Sequence, residues 1–208
     1  MAEKLRLYYF DIPGGRGQPA RLAFELGGIE FEDVRFPFSE WPSHRGSAPF
    51  HACPFLEVDG RAIAQSNAIT RYAGKRAGLY PEDPFQALLC DEILEAVEDM
   101  WVKLGPTMRI QDPDELRKAR QELAEGPYTE YLQQFASKLE AAGGEYFADG
   151  RLTVADFQML IICSAIASGG FDHIPTDLVK RVAPTLAEHQ KRILGLPGIK
   201  EHYAKYRG

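Results

Sequence analysis

The chain is expected to fold as a small α/β domain followed by an all-helical one. Three observations carry this. Residues 1–78 exchange period-two alternation with helical spacing, as strands exchange with helices. Residues 85–208 carry helical spacing throughout and no strand pattern. Between them, Gly78 to Pro84 contains two prolines and reads as a linker.

The first strand alternates Leu5, Leu7 and Tyr9 on one face with Tyr8 and Phe10 on the other. Pro13-Gly14-Gly15-Arg16-Gly17 breaks it, and Ala20 to Leu26 forms a helix closed by Gly27-Gly28. Ile29 to Phe38 holds the second strand. Phe55, Leu56 and Val58, the turn Asp59-Gly60, and Ala62 to Ala64 form a hairpin. A helix containing Ile69, Tyr72 and Ala73 then ends near Gly74 to Gly78. Parallel strands joined by helices, with one antiparallel hairpin, describe a thioredoxin-like domain.

In the second domain, Phe85, Leu89, Ile93, Val97, Met100 and Leu104 keep a helical period over a long run. Leu116 to Leu139 forms another long helix, bent near Gly126-Pro127. Thr153-Val154-Ala155-Asp156 is a capping box, with Leu152 and Phe157 at hydrophobic-staple spacing. Phe157 to Ala167 is apolar nearly all round, which places it at the bundle centre. Shorter helices follow at Asp177 to Val182, Leu186 to Leu194 and Gly198 to Tyr206.

Composition narrows the function classes. With 208 residues, 45% of them hydrophobic, the chain can bury a substantial core. A net charge of -6 without a basic stripe argues against nucleic acid as a partner. No apolar run reaches membrane-span length, and Met1-Ala2-Glu3-Lys4 leads into a strand without a signal-peptide core. Cys53, Cys90 and Cys163 are odd in number and far apart, which fits free thiols and a cytoplasmic location.

Chemistry concentrates between Cys53 and Ser66. Pro54 removes a backbone donor ahead of the hairpin, and Ser66 is read as the N-cap of the following helix. Backbone N–H groups and the positive end of a helix dipole beside a hydroxyl suit a carboxylate. A peptide-like ligand can use the Cys53 backbone with its carboxylate at Ser66. An ordinary hairpin followed by a capped helix accounts for the same residues. Glu95, Glu98 and Asp99 form an acidic face on the first helix of the second domain. Without a histidine or a Gly-rich loop it reads as a solvated face, and no metal site is expected.

The chain resembles a cytosolic glutathione S-transferase over almost its full length. The matching parts are Tyr8-Tyr9-Phe10, Arg16, Arg21, Glu40-Trp41-Pro42, the segment Pro54 to Gly60, Gln65-Ser66 with Ile69 and Arg71-Tyr72, and Leu152 to Phe157. The Trp-Pro pair, the Tyr-Phe strand end and Ala155-Asp156-Phe157 look most like the Sigma class. That class includes glutathione-dependent prostaglandin D synthases and invertebrate detoxification enzymes.

The resemblance implies a homodimer with glutathione as co-substrate, no tightly bound cofactor, and small hydrophobic electrophiles as second substrates. Tyr9 is implied as the donor that stabilises the glutathione thiolate, and its strand parity with Leu5 and Leu7 favours it over Tyr8. A hydrogen bond to sulfur is strongest to the anion, so it lowers the thiol pKa. Arg16 is implied near the thiol, on a loop one residue longer than usual. Gln65 and Ser66 are implied at the γ-glutamyl carboxylate, Cys53 beside a cis Pro54 at the cysteinyl backbone, and Trp41 and Arg45 at the glycyl end. Ala52 stands where a lysine or glutamine often contacts the glycyl end, which implies weaker binding there. Asp99 is implied to reach the γ-glutamyl ammonium across the dimer, and Phe50 to insert into the partner subunit.

The electrophile pocket is expected between the domains, walled by Ile12, by Met100 and Leu104, and by Gln158, Ile161, Ile162 and Ala165, which share a helix face. These apolar residues also read as ordinary bundle core. Isomerisation of prostaglandin H2 to D2 is the alternative reaction, and a non-catalytic structural role, as in lens crystallins, the alternative class. A glutaredoxin-like role needs a cysteine between Phe10 and Arg16, where there is none.

Overall fold

A computed structural model of the chain describes residues 3–205. Met1, Ala2 and residues 206–208, which the sequence-based boundaries included, lie outside the described residues. Four strands, β1 (Leu5–Phe10), β2 (Glu32–Phe36), β3 (Phe55–Val58) and β4 (Arg61–Ala64), form one sheet in the order β2-β1-β3-β4. β1 and β2 are parallel, and α1 (Gln18–Leu26) supplies the crossover that such a pair requires. β3 lies antiparallel to both β1 and β4. The hairpin turns at Asp59 and Gly60 with φ of 49° and 82°, the twist that a two-residue turn needs. This is a thioredoxin-like domain.

β2 is shorter than Ile29 to Phe38. The Ile29 N–H closes back on the Phe24 carbonyl as α1 ends, and Pro37 opens a 3-10 turn at the other end. Leu5, Leu7 and Tyr9 are buried, whereas Tyr8 lies on the opposite face in a cluster with Ala48, Phe55, Ala64 and Trp41. α2 (Trp41–Arg45) follows β2, and α3 (Ser66–Arg76) packs against α1, β3 and β4.

The helical unit holds α4 (Pro84–Leu104), α5 (Pro113–Leu123), α6 (Thr129–Ala141), α7 (Val154–Ala167), α8 (Leu178–Val182) and α9 (Pro184–Leu194). Asp83 caps α4 by accepting from Phe85 N and Gln86 N at 3.0 and 2.9 Å. The bend expected near Gly126-Pro127 is a π-helical turn, Ala124–Tyr128, between α5 and α6. α7 begins with the Thr153–Asp156 capping box and is buried along most of its length.

The chain divides into two compact units, residues up to Pro81 together with those from Leu196 onward, and Glu82–Gly195. The last helix, expected in the second domain, is grouped by its packing with the first unit. α10 (Pro197–Lys205) packs against α1 and buries Ile199 and His202. Helical spacing identifies a helix but not the unit it joins.

Candidate active site at the end of the first strand

Tyr9 is 6% exposed, one residue before the end of β1. Its hydroxyl oxygen accepts from the Arg16 backbone N–H at 2.9 Å. The hydroxyl proton is thereby left to donate elsewhere. Burial raises the phenol pKa, against the Arg16 N–H bond and the Arg16 and Arg21 charges, with the Cys53 thiol adding to the rise. Tyr9 is therefore a neutral donor throughout the ordinary pH range. The Arg21 guanidinium lies 5.6 Å from the Tyr9 ring centroid, is fully buried, and donates from Nε to Asp33 Oδ1 at 2.7 Å. Tyr8, half-buried, stacks on Phe55 at 4.3 Å across the strand pair.

Two glycines make room for Tyr9. A Cβ on Gly17 would stand 2.5 Å from the Tyr9 ring, and one on Gly15 would meet the Tyr9 hydroxyl. Gly17→Ala is expected to displace the ring at a cost of about 1–3 kcal/mol and to lower turnover. Gly14→Ala, at a position with open space around it, should leave turnover unchanged. Steady-state rates with thermal melts of the two variants check this. The spacing Gly-Arg-Gly after a strand was the sequence signal for this close approach, and sequence reasoning did not use it.

Gln65, not Ser66, is the N-cap of α3. Its φ of 79° keeps it out of the helix, so Ser66 is the first helical residue. Ser66's hydroxyl and the first-turn N–H groups still lie at the positive helix end. The Cys53–Pro54 peptide bond is cis. The Cys53 thiol donates to the Tyr8 carbonyl at 3.6 Å, and burial pushes it up to about 12, which makes it a poor nucleophile. Trp41 opens α2 half-buried, its ring 6.1 Å from Phe10 and 6.3 Å from Phe36, while Arg45 is exposed on the last turn. Arg16 is half-buried. β1, the loop after it, and the α3 entry thus bring Tyr9, Arg16, Cys53, Gln65 and Ser66 into the first unit together with Trp41 and Arg45.

On the second unit, Asp99 is exposed on α4 and accepts from the Tyr131 hydroxyl at 3.1 Å. Phe50, in the first unit, is 80% exposed at φ 56°. Met100, Leu104, Gln158, Ile161 and Ile162 are each at most 3% exposed. α7 is apolar nearly all round, and Val154 to Cys163 are buried along it. Near Met100 and Leu104, the apolar side chains that remain open are Val102 and Met108, at 61% and 67% exposure. Ile12, after β1, is partly exposed.

Residues 5–75 match the glutathione S-transferase N-terminal domain and residues 98–206 the glutathione S-transferase C-terminal domain. Glutathione S-transferase 1 of Ascaris suum is 32% identical over 203 residues, covering 96% of this chain and 95% of its own. The structure of prostaglandin synthase D of Nilaparvata lugens superposes with a TM-score of 0.86 at 26% identity, covering 99% of this chain and 98% of that one. A glutathione S-transferase of Necator americanus, described as monomeric, reaches 0.80 at 27% identity over 99% and 98%. The chain belongs to the glutathione S-transferase family, as an enzyme with glutathione as its co-substrate.

Proposed function

We propose that this enzyme, a Sigma-class-like member of the family, adds the glutathione thiolate to small hydrophobic electrophiles in cytoplasmic detoxification. The observation that carries this is Tyr9, whose hydroxyl accepts from Arg16 N and keeps its proton for an incoming sulfur. The bond lowers the thiol pKa from about 8.5 by favouring the anion. The Arg16 and Arg21 charges favour the anionic form of the Tyr9 phenol, and a cation near the sulfur favours thiolate for the same reason. The carboxylate of the γ-glutamyl part sits at Gln65 and Ser66 on the α3 N-terminus, the Cys53 backbone pairs with the cysteinyl part, and Trp41 and Arg45 hold the glycyl end. Ile12 is assigned to the electrophile.

The likeness to the Nilaparvata lugens prostaglandin synthase supports a second reading, glutathione-dependent isomerisation of prostaglandin H2 to D2. Exposed Phe50 and Asp99 support a homodimer in which Phe50 enters the partner and Asp99 reaches its γ-glutamyl ammonium. One experiment separates these readings. The protein is passed over immobilised glutathione, sized by light scattering, and assayed with a chromogenic aromatic electrophile and with prostaglandin H2. Retention, a dimer and conjugate formation are expected. Retention with prostaglandin D2 as the sole product selects the isomerase, an active monomer rejects the dimer, and binding without turnover selects a structural role.

A further inference from the structure

Behind Tyr9 runs a chain of buried polar side chains that ends on α10. The Arg21 guanidinium, over the Tyr9 ring, donates from Nη1 to Gln18 Oε1 at 3.4 Å. Gln18 Nε2 in turn contacts His202 Nε2, and His202 Nδ1 lies 3.1 Å from Glu25 Oε1. Lys205 Nζ donates to the other Glu25 oxygen at 3.0 Å. Gln18, Arg21 and His202 are each 0% exposed.

The chain has one direction. Arginine can only donate, so the Gln18 oxygen must face Arg21 and its amide nitrogen must face His202. His202 Nε2 therefore accepts, and its proton sits on Nδ1 beside a carboxylate, which can only accept. Burial would raise the Glu25 carboxyl, but the hydrogen bonds from His202 and Lys205 hold it at about 2. The acceptor end of the chain is thus fixed as an anion at working pH. Tyr203, next to His202 on α10, also hydrogen-bonds Gln18.

We propose that His202 is a positioning residue for the thiolate site, acting through Gln18 and Arg21 on Tyr9. It rests on the reading of Tyr9 as the thiolate donor. Gln18 directly follows Gly17, the residue packed against the Tyr9 ring, so the amide that His202 holds is also the start of α1. With His202 in place, Gln18 presents its oxygen to Arg21 and keeps the cation over the ring. Without it the Gln18 amide is released to turn, and Arg21 shifts toward its other acceptors, Asp33 and the Phe10 carbonyl. A cation displaced from the ring favours the thiolate less.

The test compares His202→Leu and His202→Gln with the parent enzyme and with Tyr9→Phe. Ultraviolet absorbance of bound glutathione against pH gives the apparent thiol pKa, and steady-state rates give kcat and both KM values. His202→Leu should raise the thiol pKa by about half a unit to one unit and lower kcat below that pKa about threefold to tenfold, with KM for the electrophile unchanged. Glutamine keeps one acceptor and one donor, so His202→Gln should recover most of the loss. If His202→Leu does not fold, Gln18→Met removes the same link. A lower melting temperature with unchanged thiol pKa and kcat in the folded variants overturns the proposal. An unchanged kcat in Tyr9→Phe overturns the donor reading and this proposal with it, whereas loss in Tyr9→Phe alone overturns only this one.

Discussion

Tyr9→Phe is expected to keep the fold and most glutathione affinity while losing about two orders of magnitude in kcat, about 2.7 kcal/mol of transition-state stabilisation. The ring stays in its buried place between Gly17 and Arg21, and only the hydroxyl goes. What vanishes is one donor to sulfur, an interaction much stronger with the anion than with the thiol. The apparent pKa of bound glutathione should rise toward its value in water. Tyr8→Phe is the control, because Tyr8 sits on the other face of β1 and stacks on Phe55. A larger loss from Tyr8→Phe would assign the sulfur to the wrong face of the strand. Stopped-flow mixing with a chromogenic electrophile distinguishes slower chemistry from slower product release.

The second large effect concerns stability. Asp156 is fully buried and accepts from Thr153 N at 2.8 Å, from Phe147 N at 3.2 Å and from the Thr153 hydroxyl at 3.1 Å. The buried His189 Nε2 stands 2.9 Å from its Oδ1. Asp156→Ala removes the acceptor from all of these at once. Each buried donor left stranded costs about 1–3 kcal/mol. The expected loss is at least about 3–5 kcal/mol, against a typical total of about 5–15 kcal/mol. Denaturant titration should show this as a lower midpoint, with the melting temperature down on the order of 10 °C. Turnover per folded molecule in the cold should stay near that of the parent, because Asp156 belongs to the helical unit and Tyr9 to the other. A melting temperature within a degree or two of the parent would mean that Thr153 alone holds the start of α7.

Strand parity was legible because one buried face makes it so. Leu5, Leu7 and Tyr9 point inward as their alternation required, and Asp59-Gly60 turned the hairpin as its φ preference demanded. The capping box before α7 was legible for the same kind of reason, as local chemistry at fixed offsets. Three features were not. Gln65 adopts a positive φ that its residue type does not advertise, which displaced the cap by one position. A helix apolar on all sides carries no mark saying which residues meet a ligand, so Ile161 and Ile162 read alike as pocket and core. The partners of Arg21 lie on three elements, and its place over Tyr9 exists only once β1, β2 and α1 have met.

The attachment of α10 to α1 has a consequence for how the molecule is made. Synthesis proceeds from the N-terminal side, and domains tend to fold as they emerge. Here the sheet and its first helices leave the ribosome long before Ile199 and His202, which lie buried in the same unit. The helical unit, continuous from Glu82 to Gly195, can settle as a single stretch, whereas its neighbour cannot. Until the last helix arrives, Gln18 and Glu25 lack their His202 contacts. The first unit thus stays incomplete until α10 has been made, after the whole of the helical unit. A truncation anywhere before Pro197 leaves that unit open even when every residue proposed to contact glutathione is already present.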